Sequence, residues 1–365
     1  VSAMWKRIGQ IRESRQAFTL IELLVVVAIL ALLISILLPS LNSARKSGRA
    51  TVCASNLSQV GKAMATYLAE NRGVYPPSYV YASDWSGTWD PLDQPTDPEY
   101  GYVHWSWFLF NSGEVQDAAF RCPEIPRGGA PRTNPGPEQA DWEAGQIDHF
   151  GNSRAQPGCI ADKQASRMAF AGNAAIFPRN KFRQDVTIEE EPGAQRVNRF
   201  VSEGEIEDTG RTILVTEFHR DWRATAAVVG GGGGAVKSKS HRPVNPFYHL
   251  SSGPYEYSAP VNTPGFIYGT TSDLHNYGLV PDDDSTDFAG AINGRLGETE
   301  LNAVGRHHPG RDRLGGSTNF LYCDGHVARR LLLDTLRNRE WGSRYYSLTG
   351  ANEVVNRYGL IDSSP

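Results

Sequence analysis

Residues 18–38, FTLIELLVVVAILALLISILL, contain one ionisable side chain, Glu22, in 21 positions. At about 1.5 Å of rise per residue, a helix of this length spans roughly 30 Å, the thickness of one hydrocarbon layer. A cleaved secretory signal usually has a shorter apolar region, of about 7–15 residues. The plain reading is a signal anchor. Glu22 does not fit it, because a carboxylate within an apolar span costs about 2.5–3.5 kcal/mol at the centre and less near an end. The positive end of the helix dipole recovers only part of that cost. A charge retained there points to a function with a partner.

The residues before the run sharpen this reading. Lys6, Arg7, Arg12 and Arg15 face one acid, Glu13, so the first 17 residues carry +3. Taking that from the net charge of −4 leaves about −7 on the remainder. So acidic a remainder argues against a nucleic-acid partner, since duplex binding rests on clustered Lys and Arg. The basic segment stops at Gln16-Ala17 and the apolar run starts at Phe18.

Ala17-Phe18-Thr19-Leu20-Ile21-Glu22, behind a basic leader and ahead of an apolar helix, resembles the N-terminal signal of type IV pilins and type II secretion pseudopilins. The resemblance implies cleavage between Ala17 and Phe18 by a prepilin peptidase and methylation of the new amine on Phe18. Glu22 becomes the fifth mature residue and pairs with the N-terminal amine of a neighbouring subunit. Such a pair sets axial register, because the Coulomb attraction is large in low dielectric and one stagger satisfies both charges. Pro39 takes the place of a helix-bending proline. Ala17 departs from the family's usual glycine but is also small. The resemblance places the leader in the cytoplasm, a single span in the inner membrane, and the C-terminal domain in the periplasm or outside. Charge bias alone decides less, because Arg45, Lys46 and Arg49 follow the run closely.

Beyond Pro39, Leu57, Val60, Met64 and Tyr67 or Leu68 recur at spacings of three and four, which predicts one apolar stripe on a continuing helix. Asn71-Arg72-Gly73 reads as its end, with Gly73 suited to a left-handed cap and Pro76-Pro77 blocking continuation. After residue 73 the 37 glycines and 22 prolines of the chain, with few helix-length patterns, predict a loop-rich β domain. The expected fold class is α+β: a long N-terminal transmembrane and amphipathic helix packed on a large β-rich, pilin-like domain. Its parts are a leader over 1–17, an assembly helix over 18–38, its continuation over 39–72, and the globular domain over 73–365.

Cys53-Ala54-Ser55-Asn56-Leu57, Phe120-Arg121-Cys122-Pro123, Thr212-Ile213-Leu214-Val215-Thr216-Glu217 and Asn319-Phe320-Leu321-Tyr322-Cys323-Asp324-Gly325-His326-Val327 resemble a pilin-like group with large β-rich domains. That group is named for a histidine followed after nine residues by Asp-Gly. Here His307 and His308 lie farther upstream, with Pro309 to Thr318 as an apparent insertion. The Asp324-Gly325 pair between β-compatible runs predicts a two-residue hairpin turn. Cys53, Cys122, Cys159 and Cys323 allow three ways of forming two disulfides.

Other features have competing readings. Tyr79, Tyr81, Trp85, Trp89, Tyr100, Tyr102, Trp105 and Trp107 form either core packing or an exposed ligand-binding strip. Gly230 to Gly234 lack a phosphate-loop ending and read as a surface loop. Asp282, Asp283, Asp284 and Asp287 offer oxygen ligands for calcium, without EF-hand spacing; a solvated loop is the simpler reading, and no cofactor is required. A metal enzyme would draw on His307, His308, Asp324 and His326, but no catalytic motif accompanies them, so no catalytic residue is assigned. The reading that results is a structural pilin or pseudopilin subunit, processed by a peptidase-methyltransferase and assembled with like subunits. The alternative is a membrane-anchored surface or tip protein that binds glycan or protein.

Overall fold

The computed structural model describes residues 19–183, 196–228, 235–249, 260–268 and 304–355, apart from 112, 114, 264, 313 and 314. It divides into two compact units, 1–45 and 46–365. Helix α1 runs over Leu20–Glu70. In the first unit its apolar residues stand in the open: Leu20, Ile29, Leu33 and Leu38 are all more than half exposed. α1 is the one described helix long and apolar enough to cross a membrane. The helix continues through Pro39, where the Ser35 carbonyl loses its usual donor because proline has no N–H.

In the second unit α1 buries Ala50, Cys53, Leu57, Val60, Gly61, Ala63, Met64 and Leu68, the stripe its spacing predicts. The helix gives way to a turn at residues 71–73, with Gly73 at φ 75° and its N–H donating to the Leu68 carbonyl. Arg72 is also left-handed, at φ 57°.

A five-stranded antiparallel sheet receives that stripe. Its strands are β3 (Phe170–Gly172), β4 (Ile213–Glu217), β5 (His308–Asp312), β6 (Gly315–Tyr322) and β7 (Val327–Arg330), after β1 (Tyr79–Tyr81) and β2 (Tyr102–His104), which pair with each other. β6 is the hub. It pairs with β5 at Ser317, with β7 from Thr318 to Leu321, and with β4 from Phe320 to Tyr322. β3 lies outside β4. Side chains alternate along a strand, so Asn319 and Leu321 share one face and Phe320 takes the other. The Asn319 amide donates to the Ala50 carbonyl of α1, and Leu321 is the side chain a Cβ on Gly61 would strike. Phe320 meets Trp341, just beyond α2 (Leu332–Arg337), edge to face at 5.9 Å.

The remaining described strands are short and form four small two- and three-stranded sheets joined by long connections. Many of those connections turn on glycines of positive φ. Among the described residues the domain is therefore a mosaic of small sheets on one hub, in keeping with the loop-rich β domain that its composition predicts.

The Asp-Gly hairpin corrects the expected turn. Tyr322 N–H donates to the His326 carbonyl and Gly325 N–H to the Tyr322 carbonyl, so Cys323, Asp324 and Gly325 form a three-residue loop. Gly325 alone in it has positive φ, 88°. This is a type I turn closed by a left-handed glycine, the next most common hairpin solution after the two-residue turns.

Candidate functional site

Two places carry chemistry. The first is the start of the apolar helix. Thr19 Oγ1 accepts from Glu22 N–H at 3.2 Å, while Thr19 N–H donates to Glu22 Oε2 at 2.9 Å. The Thr19 hydroxyl also donates to that oxygen at 2.8 Å. This is a capping box, which Thr19-Leu20-Ile21-Glu22 spells in the sequence and which a reading focused on the charge of Glu22 passes over. Glu22 thus satisfies its own helix terminus. Ala17 and Phe18, the expected cleavage and methylation residues, lie outside the described residues.

The second is a buried polar cluster where α1 covers the hub sheet. Cys53 of α1 and Cys122 form a disulfide, while Cys159 and Cys323 are free thiols. Beside the disulfide stands Glu217, the last residue of β4 and wholly buried. Its Oε1 accepts from His308 Nε2 at 2.9 Å and from the Asn319 amide at 3.0 Å; its Oε2 accepts from Asn319 N–H at 2.9 Å. Glu217 and Asn319 are cross-strand neighbours by the register of β4 and β6. His307 Nε2 lies 3.7 Å from Cys122 Sγ and 3.9 Å from Glu217 Oε2. Burial pushes the His307 imidazole down to about 4, partly opposed by the Glu217 carboxylate.

Three of the four segments singled out in the sequence meet at this point through Cys53, Cys122 and Glu217, and the fourth adds Asn319. The sequence offered the motifs but no role for Glu217 or Asn319, because their partners lie scores of residues away.

The structure splits the histidine set a metal enzyme would need. His307 and His308 face Glu217 in the core, whereas Asp324 and His326 pair with each other at an exposed hairpin tip, Oδ1 to Nδ1 at 2.6 Å. Burial raises the Asp324 carboxyl, but the His326 backbone and ring hydrogen bonds outweigh it and hold the group below its usual range. His326 also stacks on Tyr322 at 4.2 Å. The calcium candidates Asp282, Asp283, Asp284 and Asp287, and the run Gly230 to Gly234, lie outside the described residues.

The aromatic segment is part core and part exposed. Tyr79, Tyr81, Tyr102 and Trp105 are buried, while Trp85 is 67% exposed and packs edge to face on Tyr100. Trp89, Trp107 and Phe108 line a shallow open groove with Ser86, Thr88 and Asn111.

Among known families, the model of the prokaryotic N-terminal methylation motif matches residues 12–38. No curated protein and no solved structure matches the chain. The match covers the basic-to-apolar junction, Ala17, Phe18, Glu22 and the apolar start of α1, and stops one residue before Pro39. The chain therefore carries a pilin-type prepilin signal at residues 12–38, running into an apolar helix that fits a membrane-anchored, single-pass protein.

Proposed function

We propose that this chain is a prepilin-type subunit, cleaved after Ala17, methylated on Phe18, and built through its apolar helix into a type IV pilus-like or type II secretion assembly. The observation that carries this reading is the methylation motif leading into an apolar helix segment, Leu20 to Leu38, in which no residue is buried. A prepilin peptidase with methyltransferase activity processes the leader on the cytoplasmic side of the inner membrane. Residues 18–38 then form the span and the contact between subunits, residues 39–72 continue the helix onto the domain, and residues 73–365 lie in the periplasm or outside. Glu22 caps its own helix and, on assembly, also meets the amine of a neighbouring subunit.

Two substitutions separate those roles. Glu22→Gln keeps a side chain able to close the capping box but removes the charge, whereas Glu22→Val removes both. Both variants should insert in the membrane, since loss of a carboxylate makes the span more apolar. Both should lose crosslinked multimers or shear-released filaments from cells expressing the full assembly. Normal multimers in Glu22→Gln would contradict the amine pairing.

The exposed Trp85 and the groove of Trp89, Trp107 and Phe108 favour a second reading, a surface or tip subunit that binds glycan. Aromatic faces with hydroxyl and amide neighbours suit a sugar ring. Trp85→Ala and Trp107→Ala should remove glycan-array binding of the detergent-solubilised chain. An array blank for the wild type removes this reading and leaves the subunit role intact.

A further inference from the structure

We propose that Cys53, Cys122, His308 and Glu217 form a zinc site in the dithiol state of the protein, so that a divalent cation and a disulfide are alternative staples between α1 and the loop that carries Cys122, the cation also tying in the hub sheet through Glu217 and His308. One ligand atom from each of the four lies within 4.8 Å of the others, and all four residues are buried. The donor set is two sulfurs, one imidazole and one carboxylate. Once the sulfurs are thiolates, that is a tetrahedral zinc set, with ligand atoms about 3.3–3.8 Å apart. The present cluster therefore needs to contract by about an ångström, while the two sulfurs move apart as their bond is lost.

Charge supports the exchange. Zinc displaces two thiol protons to solvent, so two positive charges leave as one dication enters. The buried net charge is unchanged, so the site takes up the metal without adding an uncompensated charge to the core. Glu217 is already oriented by two hydrogen bonds from Asn319, the kind of outer support that fixes a ligating carboxylate. The Nδ1 atoms of His307 and His308 are buried with no hydrogen-bond partner among the described residues. When Nε2 of His308 turns its lone pair to the metal, Nδ1 carries the proton. His307, 3.7 Å from Cys122 Sγ, borders the site. A chain that has not yet been oxidised already holds both thiols. From the disulfide form, a phosphine supplies the two electrons: the sulfur–sulfur bond breaks, water provides the oxygen of the phosphine oxide, and two thiols result.

The test uses the full chain in detergent with Cys159→Ser and Cys323→Ser, which removes the other thiols. One half is kept oxidised. The other is reduced with a phosphine, desalted without metal, and titrated with Co²⁺ and then Zn²⁺. The reduced chain should take up one Co²⁺ with a sulfur-to-cobalt charge-transfer band and tetrahedral visible bands, both lost when Zn²⁺ displaces it. The oxidised chain should show neither. His308→Gln and Glu217→Gln should weaken binding by about tenfold or more. Because the central comparison is one sequence in two redox states, it does not depend on a variant folding. Circular dichroism covers the case in which the reduced, metal-free chain unfolds: zinc should then restore the spectrum. A reduced chain that binds no Co²⁺, an equal band in Cys122→Ser, equal uptake by the oxidised chain, or unfolding that zinc does not reverse would each overturn the proposal.

Discussion

Gly325 sits at φ 88° with open space where a Cβ would stand, so a substitution there strains the backbone and nothing else. Gly325→Val should cost about 1–3 kcal/mol, read from melting of the full chain in detergent. His326→Ala loses only an exposed pair with Asp324 and a stack on Tyr322, and should cost less than about 1 kcal/mol. Equal losses at both positions would contradict this assignment of the hairpin. Glu217→Ala is the opposite case. It leaves His308 and both Asn319 donors buried without their acceptor, at a cost of about 2–5 kcal/mol. A near-wild-type melting curve would mean the cluster does not brace the hub sheet. At this scale the sequence was legible wherever the cause is local. Asp324-Gly325 announced a hairpin, though the same pair serves two-residue and three-residue loops, and only the backbone hydrogen bonds separate them. The Thr19–Glu22 box was present at its three-residue spacing. Glu217 and the pairing of Cys53 with Cys122 were not legible, because their partners are brought together only by strand order and helix placement.

Within elements, α1 shows two environments on one helix. Leu57 is wholly buried against the hub sheet, while Leu30 is 51% exposed in the apolar segment. Leu57→Ala should destabilise the domain by about 2–5 kcal/mol, whereas Leu30→Ala should leave its melting temperature in detergent unchanged. Equal effects of the two would deny that α1 has these separate duties. The buried stripe was readable from the spacing of Leu57, Val60 and Met64, because helical periodicity reports a covered face wherever the cover comes from. The sheet partner was not readable. β4 is buried along all five residues and so shows no alternation, and β6 owes its central place to pairing with β4, far earlier in the chain, as well as with its sequence neighbours β5 and β7.

At the scale of the whole molecule, several histidines are buried as neutral rings. Burial holds His104 at about 3, His219 at about 4 with help from Arg306, and His241 well below the usual value with help from Lys239 and Arg242. His307 belongs with them. In the unfolded chain these rings titrate near 6.5, so the unfolded state binds more protons below that pH. Their contribution is fully present above about 6.5 and is lost as pH falls toward 4, by roughly 1–2 kcal/mol per histidine at pH 5. Asp162 acts in the opposite sense: burial raises it to about 6, so it favours the folded state as pH falls through that value. With four histidines against one such carboxyl, the melting temperature should drop between pH 7 and pH 5, and a flat or rising profile would contradict the burial of these rings as neutral groups.

The central claim, that residues 12–38 are a working prepilin signal, is tested most directly by the intact mass and N-terminal sequence of the chain extracted from membranes of cells with an active prepilin peptidase. The expected product is a mature chain beginning at Phe18 with one methyl group on its amine, and the unprocessed form when the peptidase is inactive. A membrane form that keeps the residues before Phe18 in the presence of the active enzyme, or one cut after Ala44 within α1, would contradict it.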